Sequence, residues 1–84
     1  MKTTNKMQFK VLIEQDEDGI FVASVPEVEG CHTQGKTLEV ARERIKEAIN
    51  LCLESDPKLL EQKRKFPFAN PTFMGIEDVY VQYA

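Results

Sequence analysis

The stretch from Phe9 to Glu54, FKVLIEQDEDGIFVASVPEVEGCHTQGKTLEVARERIKEAINLCLE, constrains the fold more than any other part of the chain. From Met7 the apolar residues alternate, with Met7, Phe9, Val11 and Ile13 on one side and Gln8, Lys10 and Glu14 on the other; only Leu12 breaks the pattern. Period-two alternation is the mark of a half-buried strand. Asp16-Glu17-Asp18-Gly19 reads as a hairpin turn, with Gly19 supplying the positive φ that a β-branched residue adopts only at a cost. A second strand, Ile20 to Val25, is β-branched and aromatic, and Pro26 ends it because proline has no N–H for the ladder. Gly30 closes the next turn, and Cys31 to Gln34 forms a short third strand ending at Gly35.

The periodicity then changes. Leu38, Ala41, Ile45, Ala48, Ile49 and Cys52 recur at helical spacing as one apolar stripe, while Arg42, Glu43, Lys46 and Glu47 lie off it. Thr37 is a good N-cap, and Glu39 sits where the helix dipole favours negative charge. A helix over about Leu38–Glu54 is therefore expected across one face of the sheet. Asp56-Pro57 has the form of a cap and first position for a short second helix over Lys58 to Arg64. Phe66 to Pro71, with two prolines, reads as a loop, and Ile76 to Tyr83 places Val79, Val81 and Tyr83 on one face as a last strand. Residues 1–6 are polar and read as a frayed lead-in. The expected architecture is α+β, a β-β-β-α-β order with a mainly antiparallel sheet of three or four strands and one long helix on a face. It forms a single domain over residues 1–84, with a core over about 7–54, a connector over 55–75 and a final strand over about 76–83.

Eighty-four residues lie near the lower limit at which one core holds a fold without help. No apolar run approaches the roughly 18 residues that cross a membrane, and MKTTNKMQFK lacks the apolar region of a secretory signal. The chain is thus expected to be cytoplasmic, with Cys31 and Cys52 as thiols. A net charge of −3 argues against nucleic-acid binding over the general surface, which needs clustered cations. The charges are unevenly spread: Glu14, Asp16, Glu17, Asp18, Glu27 and Glu29 fall before residue 30, mostly in turns, and basic residues concentrate at Arg42, Arg44 and Lys46 on the helix and at Lys58, Lys63, Arg64 and Lys65 after it. Such a distribution fits either a solvated surface of mixed sign or a negative rim that meets a basic partner.

The residues offer no catalytic constellation. Cys31 and His32 are neighbours in a strand, so they face opposite sides and do not work together as nucleophile and base. With Cys52 they make three potential zinc ligands at a spacing that fits no standard site. Gly19, Gly30 and Gly35 are turn glycines separated by whole elements, not a phosphate loop. No metal, no cofactor and no enzymatic activity are expected. Lys63-Arg64-Lys65 reads as a response to the helix dipole.

The string from Asp16 to Gly19, Val25-Pro26, Gly30-Cys31-His32-Thr33, Gly35, Thr37-Leu38, Ala41 and Ile45 through Ile49 resembles the HicB-like antitoxin family, in order and without gaps. The chain departs from the family at Glu29, where proline often precedes the glycine, and at Lys36, where an acid is usual. The resemblance implies a partial RNase H-like fold and a partner of the HicA type, a small basic toxin that cuts RNA with a histidine. RNase H chemistry itself needs carboxylates converging on metal. The first strand interior is Phe9 to Ile13, with Glu14 alone near its end. Many members carry a further DNA-binding domain; here only thirty residues follow Glu54, so no separate DNA-binding domain is expected and direct DNA binding by this chain alone is disfavoured. The leading expectation is an antitoxin-like binding module that contacts its toxin through Asp16, Glu17, Asp18, Glu27 and Glu29. Behind it stand a HicB-like structural or regulatory oligomer without a toxin and, last, a residual nuclease. A homo-oligomer is expected because one helix leaves sheet face or edge uncovered.

Overall fold

The computed structural model describes residues 6–84; residues 1–5, most of the polar lead-in, lie outside the described part. Three short strands, β1 (Leu12–Gln15), β2 (Phe21–Ser24) and β3 (His32–Gly35), precede two helices, α1 (Leu38–Ser55) and α2 (Pro57–Lys65). The sheet is antiparallel in the order β1-β2-β3, with Ile13 opposite Ala23 and Ala23 opposite Thr33. α1 packs over β3 and β2, and α2 folds back against α1. The α+β class, the three consecutive antiparallel strands and the long helix on the sheet are those read from the sequence.

Each joint follows from local chemistry. Gly19 and Gly30 take φ of 82° and 79°, the left-handed region that only glycine enters without strain. Thr37 Oγ1 accepts the Val40 N–H at 3.1 Å, capping α1. Asp56 ends α1 by donating its N–H to Cys52 O, and begins α2 by accepting from the N–H groups of Lys58 and Leu59, with Pro57 as first helical residue. Gly35 matters through its lack of a side chain. A Cβ there would lie 2.8 Å from Ala41 N and 2.9 Å from Val40 Cγ1, so glycine lets β3 run directly under the first turn of α1.

The core is thin. Ala23, Val25, Val28, Cys31 and Ile45 are buried, and Phe9, Val11, Ile13, Ala48, Ile49, Cys52 and Leu59 pack around them half-covered. Ile45 is 4% exposed and Ile49 is half-buried, as their place on the stripe requires.

Two parts differ from the sequence reading. β1 begins at Leu12 rather than Met7, because β2 ends at Ser24 and Pro26 offers no N–H to carry the ladder further; Gln8 instead donates to Pro67 O at 2.8 Å. The second difference is larger. Residues 76–83 form no strand. They remain exposed and outside every ladder, and the molecule measures 62 × 29 × 25 Å. A strand requires a partner for its backbone groups, and alternation alone does not supply one.

Candidate functional site

The acidic residues singled out in the sequence fall into two groups at opposite ends of β2. The first is the β1–β2 turn. Asp16 donates its backbone N–H to the Ile20 carbonyl and accepts the Gly19 N–H at its own carbonyl, and its Oδ1 accepts the N–H groups of Asp18 and Ile20, each at 2.9 Å. The Asp16 carboxylate is thus part of the turn's framework. Glu17 and Asp18 are exposed and make no ion pair among the described residues.

The second group lies in the β2–β3 turn, roughly 17 Å of strand away. Glu29 is exposed there. Glu27 is not: its side chain is 13% exposed, and Oε1 takes the Lys63 ammonium at 2.9 Å while Oε2 accepts the Asn70 N–H at 3.2 Å. The Lys63 Nζ also donates to Phe68 O at 2.9 Å and stands 4.3 Å from the centre of the Phe9 ring. This part-buried ion pair ties the β2–β3 turn to α2 and to the loop that follows it. Of the five residues, then, Asp16, Glu17 and Asp18 cluster, Glu29 stands apart, and Glu27 points inward.

Lys63 was invisible as a buried group in a run of three basic residues. Its signal was positional: it lies one helical turn after Leu59, on the face that meets the core. Burying a charged amine is tolerable because the carboxylate, a carbonyl and an aromatic face surround it.

Cys31 is buried and His32 exposed, on opposite sides of the strand's start. The Cys31 thiol is pushed up to about 11, first by burial and then by the hydrogen bond and charge of Cys52 beside it. A thiol so protonated at neutral pH is a core group and a poor nucleophile. Among the described residues no three His, Cys, Asp or Glu side chains gather as a metal site. Among the described residues no helix is long and apolar enough to cross a membrane.

What the surface does offer is uncovered apolar area. Phe66, Phe68 and Phe73 are 73–82% exposed, and Ile76, Val79, Tyr80, Val81 and Tyr83 extend the series. Single exposed apolar residues are commonplace, and these stand out because so many follow one another along one segment.

The profile of the HicB-like antitoxin of bacterial toxin–antitoxin systems matches residues 9–79. A UPF0150 protein of Synechocystis is 50% identical over 50 residues, covering 60% of this chain and 72% of its own. One from Archaeoglobus fulgidus is 56% identical over 48 residues, 57% of this chain and 70% of its own. One from Thermoplasma acidophilum is 45% identical over 64 residues, 76% of this chain and 88% of its own. No solved structure gives a significant match. The chain belongs to the HicB-like antitoxin family.

Proposed function

From that membership we propose that this chain is a cytoplasmic antitoxin that acts by binding, not catalysis, and neutralises a small basic HicA-type RNase by covering its RNA-binding or catalytic surface. The observation that carries the reading is the family match over residues 9–79, which spans all five secondary-structure elements. A toxin that grips RNA must carry a cationic face. The exposed carboxylates of Glu17 and Asp18, held out on a turn that Asp16 keeps in shape, suit such a face electrostatically. Glu29 is a second exposed contact on the far turn, and Glu27 contributes by holding that turn to α2. Charge on the rim speeds encounter, and apolar burial sets the lifetime of the complex.

The chain is further proposed to be a homo-oligomer, because its thin core leaves aromatic and β-branched residues open to water. A toxin-free regulatory oligomer is the second reading, favoured by the same exposed apolar run.

Co-expression with the product of the adjacent gene tests the first reading, by growth rescue and by stopped-flow association. Reversing Glu17 and Asp18 to Lys, with Asp16 kept so that the turn stays intact, should slow association and weaken its salt dependence. Ions screen such attraction over about 8 Å at physiological strength. Dissociation should change less. Failure to bind the co-expressed product would favour the regulatory oligomer. Full rescue with an unchanged on-rate would move the contact to the helix or to the segment after α2.

A further inference from the structure

Residues 76–83 carry the alternation of a strand and meet no sheet, and β1 has an edge that no strand covers. We propose that residues 76–83 of one copy add to the β1 edge of a second copy, and that the reciprocal exchange builds a two-fold dimer. The inference rests on the homo-oligomer reading and names the surface that would make it.

The edge is identified by register. Asp16 donates its N–H to the Ile20 carbonyl, which sets the phase of the ladder, so by alternation Glu14 bonds with Val22 and Leu12 with Ser24. The backbone groups of Val11, Ile13 and Gln15 therefore point away from β2, and among the described residues none of them is hydrogen-bonded. The opposite edge is treated differently. By the same alternation Gln34 points its carbonyl outward from β3, and Arg44 occupies it at 2.9 Å. One edge is blunted by a guanidinium and the other is bare, so β1 is the edge open to a new strand.

The surroundings of β1 select the occupant. Because α1 lies over β3 and β2, a shallow groove remains between β1 and the flank of the helix. Phe9, Val11, Ile13, Ile45 and Ile49 line it, and its rim carries both signs of charge, Glu39 and Glu43 beside Arg42 and Lys46. A strand seated there must be apolar on one side. Residues 76–83 have that pattern: Val79, Val81 and Tyr83 share one face. Lengths also agree. Eight extended residues span roughly 26 Å, against roughly 23 Å for residues 9–15.

The geometry of the chain directs the strand outward. The loop after α2 is pinned to its own domain by Gln8, which donates to Pro67 O, and by Glu27, which accepts from Asn70. Beyond it the segment stays exposed, with Val79 at 78%, Tyr80 at 96% and Val81 at 80%. Each copy gives one segment and offers one edge, so two copies satisfy both and the assembly closes.

The test is the solution mass of the full chain at micromolar concentration, by light scattering, beside the Val79→Pro/Gln82→Pro variant. The two positions have opposite parity, so one of them loses an N–H aimed at β1 whatever the register. Neither contributes to the packed domain. The full chain should be a dimer, and the variant should dissociate with at least a tenfold rise in Kd. Amide hydrogen exchange at Val11 and Ile13 should be slow in the full chain and fast in the variant. A variant that stays dimeric with those amides still protected would overturn the exchange while leaving the oligomer reading intact. A monomeric full chain would overturn both; if Val11 and Ile13 are protected in that monomer, the segment folds onto its own sheet. A variant that keeps the dimer but loses a co-expressed toxin would assign the segment to the toxin, and the proposal would fall.

Discussion

Two segments of this chain carry the same pattern and meet opposite fates. Phe9, Val11 and Ile13 alternate with polar residues and pack half-covered against the core. Val79, Val81 and Tyr83 alternate in the same way and stand 78–93% exposed. The first segment runs into a hairpin whose turn brings β2 back beside it, so the backbone groups of Leu12 and Glu14 find partners within a few residues. The second follows a loop pinned by Gln8, Glu27 and Lys63 and meets no sheet in its own copy. Alternation describes how a segment would sit on a surface; the presence of a partner decides whether it does so.

The largest expected effect lies in what holds the loop between those two segments. Lys63→Ala should destabilise the domain by about 3–5 kcal/mol in chemical denaturation, because it leaves the Glu27 carboxylate buried without its cation. Lys63→Met/Glu27→Gln should recover much of that loss. An effect below 1 kcal/mol for Lys63→Ala would mean that the pair sits in water and does not set where the second segment departs.

Ile45→Ala comes next, with an expected cost of about 2–5 kcal/mol for a cavity under the sheet. It sharpens the contrast by measuring what a β-branched side chain is worth where the fold covers it.

A smaller effect is set by pH. The folded protein holds the Cys31 thiol protonated up to about 11, above its ordinary value of 9.0. The stability that this contributes is complete below about 9. It is lost as pH climbs from there to about 11, because the unfolded chain ionises its thiol first. Denaturation midpoints across that window should fall, and the fall should be shallower in Cys31→Ala.

The smallest effect belongs to the second segment. Val79→Ala, measured where the chain is monomeric, should change stability by no more than about 0.5 kcal/mol. A loss comparable to that of Ile45→Ala would break the comparison, because it would show the segment packed within its own copy.

Much of the fold was legible. The Asp16–Gly19 turn, the Thr37 cap, the Asp56-Pro57 junction and the stripe through Ala41, Ile45 and Ile49 are local devices, each satisfied by residues within a turn or two. The acidic surface was legible only in part. Asp16, Glu17 and Asp18 cluster because they are neighbours in sequence, but Glu27 looked equivalent to Glu29 and proved to be the partner of a lysine 36 positions away.

The sequence by itself thus determined the order of elements, their caps and turns, and which face of α1 is apolar, since these depend on steric and hydrogen-bonding preferences of adjacent residues. Only the tertiary structure decided which carboxylates face solvent, which lysine is buried, and which of two like segments joins the sheet. Those outcomes depend on what lies across the fold, where a desolvated charge must find its counter-ion and an extended backbone must find a free edge.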